Sequence, residues 1–168
     1  MVGLCCQAAR AAERQPEVAA VKAAYLARLA PFVYWPTSLF AQPNDPLVLC
    51  VQGDDPFGGR LDQLTAGEGV GSHPIIVRRL PRLDADSGCQ IAFLGGSAVQ
   101  SQAAALRLLD GQPVLTVTDA DAEGGAKGIV RFVLMDGRVR FVIDAGRASQ
   151  SGLGISSKLL ALAAEVKR

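Results

Sequence analysis

Apolar residues along this chain fall into two patterns, helical spacings near both ends and short continuous runs between them. Near the N-terminus the apolar positions recur at intervals of three and four residues: Val18, Val21, Tyr25, Leu29 and Phe32. This spacing predicts one apolar face of a helix. Pro16-Glu17 suits the first turn of that helix, and Pro31 should end it near Ala30.

Four apolar runs in the middle of the chain predict buried strands, at residues 47–51, 75–77, 89–94 and 113–117. Two helical segments separate them, one between Gly59 and Gly67 and one from Val99 to Leu109. Asp54 or Asp55 is expected to cap the first of these helices. Strands that alternate with helices are typical of a parallel sheet.

The final third has a different pattern. Asp136-Gly137 stands between two apolar runs, which is a strong signal for a β-hairpin. A last helix is predicted from Ser157 to Val166, with Ser156 or Ser157 as its cap. The chain is thus predicted to be α/β: a single domain over residues 16–168, with a mixed β-sheet flanked by helices. The first part of this sheet is parallel, and the C-terminal hairpin is antiparallel.

The N-terminal segment and the charge balance bear on location and partners. Residues 1–15 are interpreted as a leader remnant or a disordered segment, because Ala9-Arg10-Ala11 would serve as a cleavage signal. The formal net charge is +1, so nucleic acid is not an expected partner. The apolar runs are too short to cross a bilayer, so the chain is not expected to span a membrane.

Residues typical of a catalytic site are scarce. His73 is the single histidine and lies in a Gly/Pro segment, where a solvated loop residue is the ordinary interpretation. Asp119, Asp121 and Glu123 resemble the start of a calcium loop but lack the later ligands. An arginine cluster at residues 78–82 is explained by an exposed strand end. We predict neither an enzyme nor a metal or nucleotide cofactor.

The cysteines leave two interpretations open. Cys50 and Cys89 each lie beside a predicted strand, so they form either a disulfide in an exported protein or two buried thiols in a cytosolic one. Cys5 and Cys6 lie in the suspected leader and should contribute nothing to the fold.

Several segments together resemble one known family: residues 21–26, 32–36, 49–58, 89–94, 113–119, 139–144 and 152–163. The most distinctive features are the Trp35-Pro36 step, the two cysteines and the leucine-rich end. In this order they are similar to the YfiR-like family of periplasmic regulators, over about residues 18 to 164. The chain departs from the family pattern at Pro31, at Lys127-Gly128, and at Arg131 and Asp144, where asparagine is usual.

The resemblance implies a periplasmic homodimer that binds the periplasmic sensor region of an inner-membrane diguanylate cyclase. Such binding keeps the cyclase inactive and so lowers cyclic di-GMP and biofilm formation. An exported protein also favours a disulfide between Cys50 and Cys89. Two alternatives are a periplasmic small-ligand receptor that uses the loop from Gly124 to Lys127, and a cytosolic hydrolase that uses His73.

The predicted partner surface lies between the last strand and the last helix. Glycines in this segment would let Leu153 and Ile155 project from a compact loop beside Ser156 and Lys158. The alternative is that Leu153 and Ile155 fasten the loop to the core. Burial of these two side chains distinguishes the interpretations.

Overall fold

The computed structural model describes residues 3–120 and 125–168, with side chains from residue 14 onward. The side chains of Cys5 and Cys6 and of the suspected cleavage signal therefore lie outside the described part. The helices are α1 (Gly3–Arg28), α2 (Gly59–Thr65), α3 (Gln102–Leu109), α4 (Ala145–Gln150) and α5 (Ser157–Leu162). The strands are β1 (Val33–Tyr34), β2 (Leu47–Gly53), β3 (Gly69–Val70), β4 (His73–Leu80), β5 (Ile91–Gly96), β6 (Leu115–Asp119), β7 (Val130–Met135), β8 (Arg138–Asp144), β9 (Gly154–Ile155) and β10 (Glu165–Lys167).

The main sheet has eight strands in the order β10-β8-β7-β6-β5-β2-β4-β3. Strands β4, β2, β5, β6 and β7 are mutually parallel, and β8 joins β7 as an antiparallel hairpin. The hairpin turn has positive φ at Asp136 (52°) and Gly137 (72°), which matches the right-handed twist of the strands. The predicted α/β class and mixed sheet are confirmed.

Helices cover both faces of the sheet. Alternate residues of β2 face opposite ways: Leu49 packs in the larger core with α1, α2 and α5, and Cys50 packs in a smaller core with α3. The two following helices lie on opposite faces of the sheet. Leu61 of α2, which follows β2, packs in the larger core, whereas Ala105 of α3, which follows β5, packs in the smaller core.

Helix α1 differs from its prediction in its bounds. It begins at Gly3 rather than near Pro16, because alanine-rich residues before the proline favour helix. A 3-10 turn at Ala30–Phe32 follows it, as expected from Pro31. The face pressed on the sheet consists mainly of small and aliphatic residues, with Ala23, Leu26 and Ala27 fully or nearly fully buried.

The C-terminal region is also corrected. The last helix ends at Leu162 instead of Val166, and Glu165–Lys167 becomes strand β10 beside β8. The free edge of β8 supplies the hydrogen bonds that this short segment could not make alone. Helix α4 was not predicted; the Asp144 carboxylate caps it by accepting a hydrogen bond from the Arg147 backbone N–H at 2.8 Å.

Two smaller expectations concern the loop after β2 and the cysteines. Neither Asp54 nor Asp55 caps α2, whose N-cap is Gly58; the Asp55 carboxylate instead accepts from the backbone N–H of Phe57 at 2.8 Å. Cys50 and Cys89 form a disulfide, with Cα atoms 5.8 Å apart. This bond joins β2 to the residues that lead into β5.

Candidate functional site

An open apolar groove lies between α1 and α5, over strand β8. It has a volume of about 430 Å³, and we call it the α1–α5 groove, lined by Val21, Ala24, Tyr25, Arg28, Leu29, Phe32, Phe141, Leu159 and Leu162. Val21 is 43% exposed and Leu162 is 59% exposed, so the groove has an aliphatic side chain in solvent at each wall. Large aliphatic side chains that face each other across a groove are typical of interaction surfaces.

Aromatic packing fixes the floor of this groove. The Tyr25 ring meets the Phe141 ring edge to face, with centroids 5.3 Å apart, and the centroid of Phe132, the cross-strand neighbour of Phe141, lies 6.4 Å from that of Tyr25. Phe141 is buried, whereas Tyr25 and Phe32 are only partly buried. The predicted apolar spacing therefore packs against the larger core through Leu29 and Tyr25, and Val21 at its edge remains exposed in the groove.

The predicted partner segment is partly core. Leu153 is buried in the larger core, which agrees with the alternative that it fastens the loop. Ile155 is half-buried and pairs with Val33 in the small antiparallel sheet of β1 and β9. Gly154 lies so close to Tyr34 that an added Cβ would be 3.0 Å from the ring carbon Cδ2. Because its side chain is buried in the larger core, Leu153 fastens this segment to the rest of the domain.

Ser156 and Lys158 lie next to the α1–α5 groove. The Ser156 hydroxyl accepts a hydrogen bond from the Leu159 N–H at 3.2 Å and so caps α5, while its own N–H donates to the Phe32 carbonyl at 2.9 Å. Lys158 is exposed and stands one helical turn before Leu162, on the same side of α5. With Arg28 of α1, it gives the groove a basic rim. A partner role for Ile155, Ser156 and Lys158 remains a prediction.

An ion pair that the sequence did not reveal holds α1 to the sheet. The Lys22 ammonium lies 2.5 Å from a carboxylate oxygen of Asp119 at the end of β6, and both side chains are largely buried. A lysine within the apolar stretch of α1 was the available signal, because a charged side chain is rarely buried without a partner. The Asp119 carboxylate is thus paired with an ammonium group of the same chain. Asp121 and Glu123, the other residues of the suspected calcium loop, lie outside the described residues.

The other candidate residues are occupied by structural contacts. His73 belongs to β4 rather than to a loop: its ring stacks on Phe40 at 3.8 Å, and its Nδ1 lies 2.6 Å from the Asp45 carbonyl oxygen. Arg79 donates to the carboxylates of Asp55 and Asp62, each at 2.7 Å, so it is neutralised by the chain. These hydrogen bonds hold the pKa of Asp62 below its usual value and raise that of Arg79. Within the described ranges, no three acidic, cysteine or histidine side chains form a metal site.

Taken together, these features define a single-domain α/β protein with an open apolar groove beside its first helix. The sequence profile of the YfiR/HmsC-like family matches residues 19–164, and the chain belongs to this family. The family is periplasmic and regulatory, and it belongs to cyclic di-GMP signalling. No curated protein matches the chain. None of the helices in the described part combines the length and hydrophobicity of a membrane span.

Proposed function

We propose that this chain is a periplasmic regulator that binds the periplasmic sensor region of an inner-membrane diguanylate cyclase and represses the enzyme. The lowered cyclic di-GMP would in turn reduce biofilm formation. The protein itself performs no catalysis in this role. Family membership supports the regulatory class, and the disulfide between Cys50 and Cys89 is typical of an oxidising compartment.

The observation that carries the proposal is the α1–α5 groove. Val21 and Leu162 stand in solvent at its walls, and the partly buried rings of Tyr25 and Phe32 line it. Burial of one aliphatic side chain of this kind contributes about 1.5–3 kcal/mol. Because Arg28 and Lys158 form the rim, we expect the cyclase to present an apolar segment flanked by acidic residues.

Repression requires selective binding. A regulator shifts the cyclase toward its inactive conformation only if it binds that conformation more tightly than the active one. A tenfold preference corresponds to about 1.4 kcal/mol. One exposed aliphatic contact that exists only in the inactive complex would supply this difference.

The experiment compares variants in a bacterial strain that expresses the chain together with a candidate membrane diguanylate cyclase. Val21→Asp and Leu162→Asp should weaken co-purification with the cyclase by at least about tenfold and raise cyclic di-GMP. The matched control is Val99→Asp, because Val99 is 66% exposed and precedes α3 on the other face of the sheet. It should leave both readouts unchanged.

Two results would contradict the proposal. Full repression by folded Val21→Asp and Leu162→Asp would exclude the groove as the working surface. We also propose, from the family resemblance, that the chain forms a homodimer. If the two variants dissociate this dimer in sedimentation experiments but retain the cyclase, the groove is the dimer interface and not the cyclase surface.

A further inference from the structure

A second concave region lies at the carboxyl edge of the parallel strands. Strand β2 is followed by α2 on one face of the sheet, and β5 is followed by α3 on the other. Neighbouring strands whose connections leave toward opposite faces open a crevice between their carboxyl ends, which is where open α/β sheets bind ligands. We call this region the switch crevice; its volume is about 690 Å³.

Close backbone packing shapes the switch crevice. A Cβ at Gly95 would lie 2.0 Å from the carbonyl oxygen of Asp54, and a Cβ at Gly53 would lie 2.1 Å from that of Gly96. The Asp54 N–H donates to the Gly96 carbonyl at 2.9 Å. The ends of β2 and β5 are therefore locked together by glycines, and the crevice walls are preformed.

The charges that line the crevice do not cancel. Asp55 is paired with Arg79 at 2.7 Å, and Asp119 is paired with Lys22 at 2.5 Å. Asp54 also lines the crevice, is exposed, and has no side-chain hydrogen bond or ion pair to any residue in the described ranges. Of the three carboxylates, one is left to attract a positive group.

Gln102 adds an unused acceptor. It lines the crevice at the start of α3 and is only 5% exposed, yet its Oε1 has no hydrogen-bond partner among the described residues. The neighbouring Gln52 is fully engaged: its amide donates to the Pro81 and Gln100 carbonyls and accepts from Gly96 N–H. A buried polar atom without a partner is rare in native structures, so Gln102 Oε1 is an acceptor that a hydrogen-bond donor bound in the crevice would satisfy.

We propose that the switch crevice binds a small organic cation through a primary ammonium group. Asp54 would balance its charge, the Gln102 carbonyl oxygen would accept one of its N–H groups, and the ring of Phe93 would contact its apolar part. A divalent metal ion fits less well because Arg79 and Lys22 already hold Asp55 and Asp119. This inference rests on the crevice alone and not on the proposed repression of a cyclase.

The test uses the full chain, labelled with ¹⁵N, and butylamine as the probe. Amide spectra are recorded during titration with butylamine, with 1-butanol as the uncharged analogue, and with calcium or magnesium chloride. We expect saturable shifts at Asp54, Gly95, Gly96 and Gln102, with affinity for the amine about tenfold above that for the alcohol. Equal affinities, no saturable shift at these amides, or saturation by the metal ions alone would overturn the proposal.

Two variants separate recognition from structural support. Asp54→Asn should weaken butylamine binding about tenfold, while Asp86→Asn, an exposed aspartate before β5, should leave it unchanged. Gln102→Leu should weaken binding and leave the unfolding midpoint unchanged or raised, because it removes an unpaired polar group. Gln52→Leu should lower the midpoint. Loss of stability in Gln102→Leu with unchanged amine binding would assign Gln102 a structural role and overturn its part in the site.

Discussion

The α1–α5 groove and the switch crevice are built by different means. The groove consists of side chains, aliphatic and aromatic, that project from two helices over β8. The crevice is lined by acidic and amide groups, next to close backbone contacts at Gly53, Gly95 and Gly96 that hold two strand ends together. The first suits a flexible protein surface, and the second suits a small polar group of fixed position.

The difference predicts how each region responds to change. Side chains that project into solvent can be replaced or can move at little cost, so groove variants should alter binding more than folding. Backbone packed at van der Waals limits cannot move locally, so substitutions at the crevice glycines should alter folding. Substitutions of matched type in the two regions test this contrast.

The largest effect is expected from the disulfide that braces the two crevice strands. Replacing Cys50 and Cys89 by alanine should lower the free energy of unfolding by about 4 kcal/mol, because the bond closes a loop of 39 residues in the unfolded chain. Urea unfolding of oxidised protein and variant measures the difference. An unchanged midpoint would mean that the bond constrains neither state.

Gly95→Ala should follow, with a loss of about 3 kcal/mol. The added methyl group would meet the backbone oxygen of Asp54 at 2.0 Å, and neither strand end can move without breaking the Asp54–Gly96 hydrogen bond. The amides around Asp54 should shift in the spectrum as the crevice deforms. Wild-type stability in this variant would show that the edge is more adaptable than the packing indicates.

Gly154→Ala is the matched substitution beside the groove, and it should cost about 0.5–1.5 kcal/mol. The three atoms nearest to its added methyl group belong to the side chain of Tyr34, which is 68% exposed: the ring, at 3.0 Å, can rotate away, and Cβ, at 3.2 Å, needs a shift of only a few tenths of an ångström. Thermal unfolding of both alanine variants under one condition gives the comparison. Equal losses at positions 95 and 154 would contradict the distinction between backbone and side-chain walls.

The smallest effect concerns the ion pair between Asp62 of α2 and Arg79, which also pairs with the crevice residue Asp55. The hydrogen bond from Arg79 lowers the pKa of Asp62 in the folded state, so the pair stabilises the fold above the unfolded pKa near 3.9, and this stabilisation disappears as the pH falls through the folded pKa. Because Asp62 is about half exposed, Asp62→Asn should cost at most about 0.5 kcal/mol at pH 7. The difference from wild type should shrink as the pH falls below the unfolded pKa and vanish once Asp62 is protonated in the folded state; a constant difference would assign the loss to something other than charge.

Several local elements could be predicted because their signals are short-range. The run at residues 47–51 formed β2, the Asp136-Gly137 pair formed the hairpin turn, and Ser156 capped α5. Each depends on neighbours along the chain, where side-chain period and backbone preference act directly. Strand β10 escaped prediction because its three residues acquire strand structure only from the edge of β8.

The candidate sites likewise combine features that are visible in the sequence with contacts that only the folded chain creates. The apolar spacing of Val21, Tyr25 and Phe32 was visible in the sequence, but it could not say whether that side of α1 faced the core or an open groove. The pairing of Lys22 with Asp119 spans 97 positions, and the unpaired Gln102 oxygen is recognisable only among its neighbours in space.

The sequence by itself determined the family, the α/β class, the hairpin and the pair of cysteines available for a disulfide. The tertiary structure alone decided the order of the strands, the exposure of Val21 and Leu162, and the crevice at the carboxyl ends of β2 and β5. The physical reason is that side-chain periodicity encodes which residues prefer burial, whereas the partner of each buried or charged group depends on contacts between segments distant along the chain.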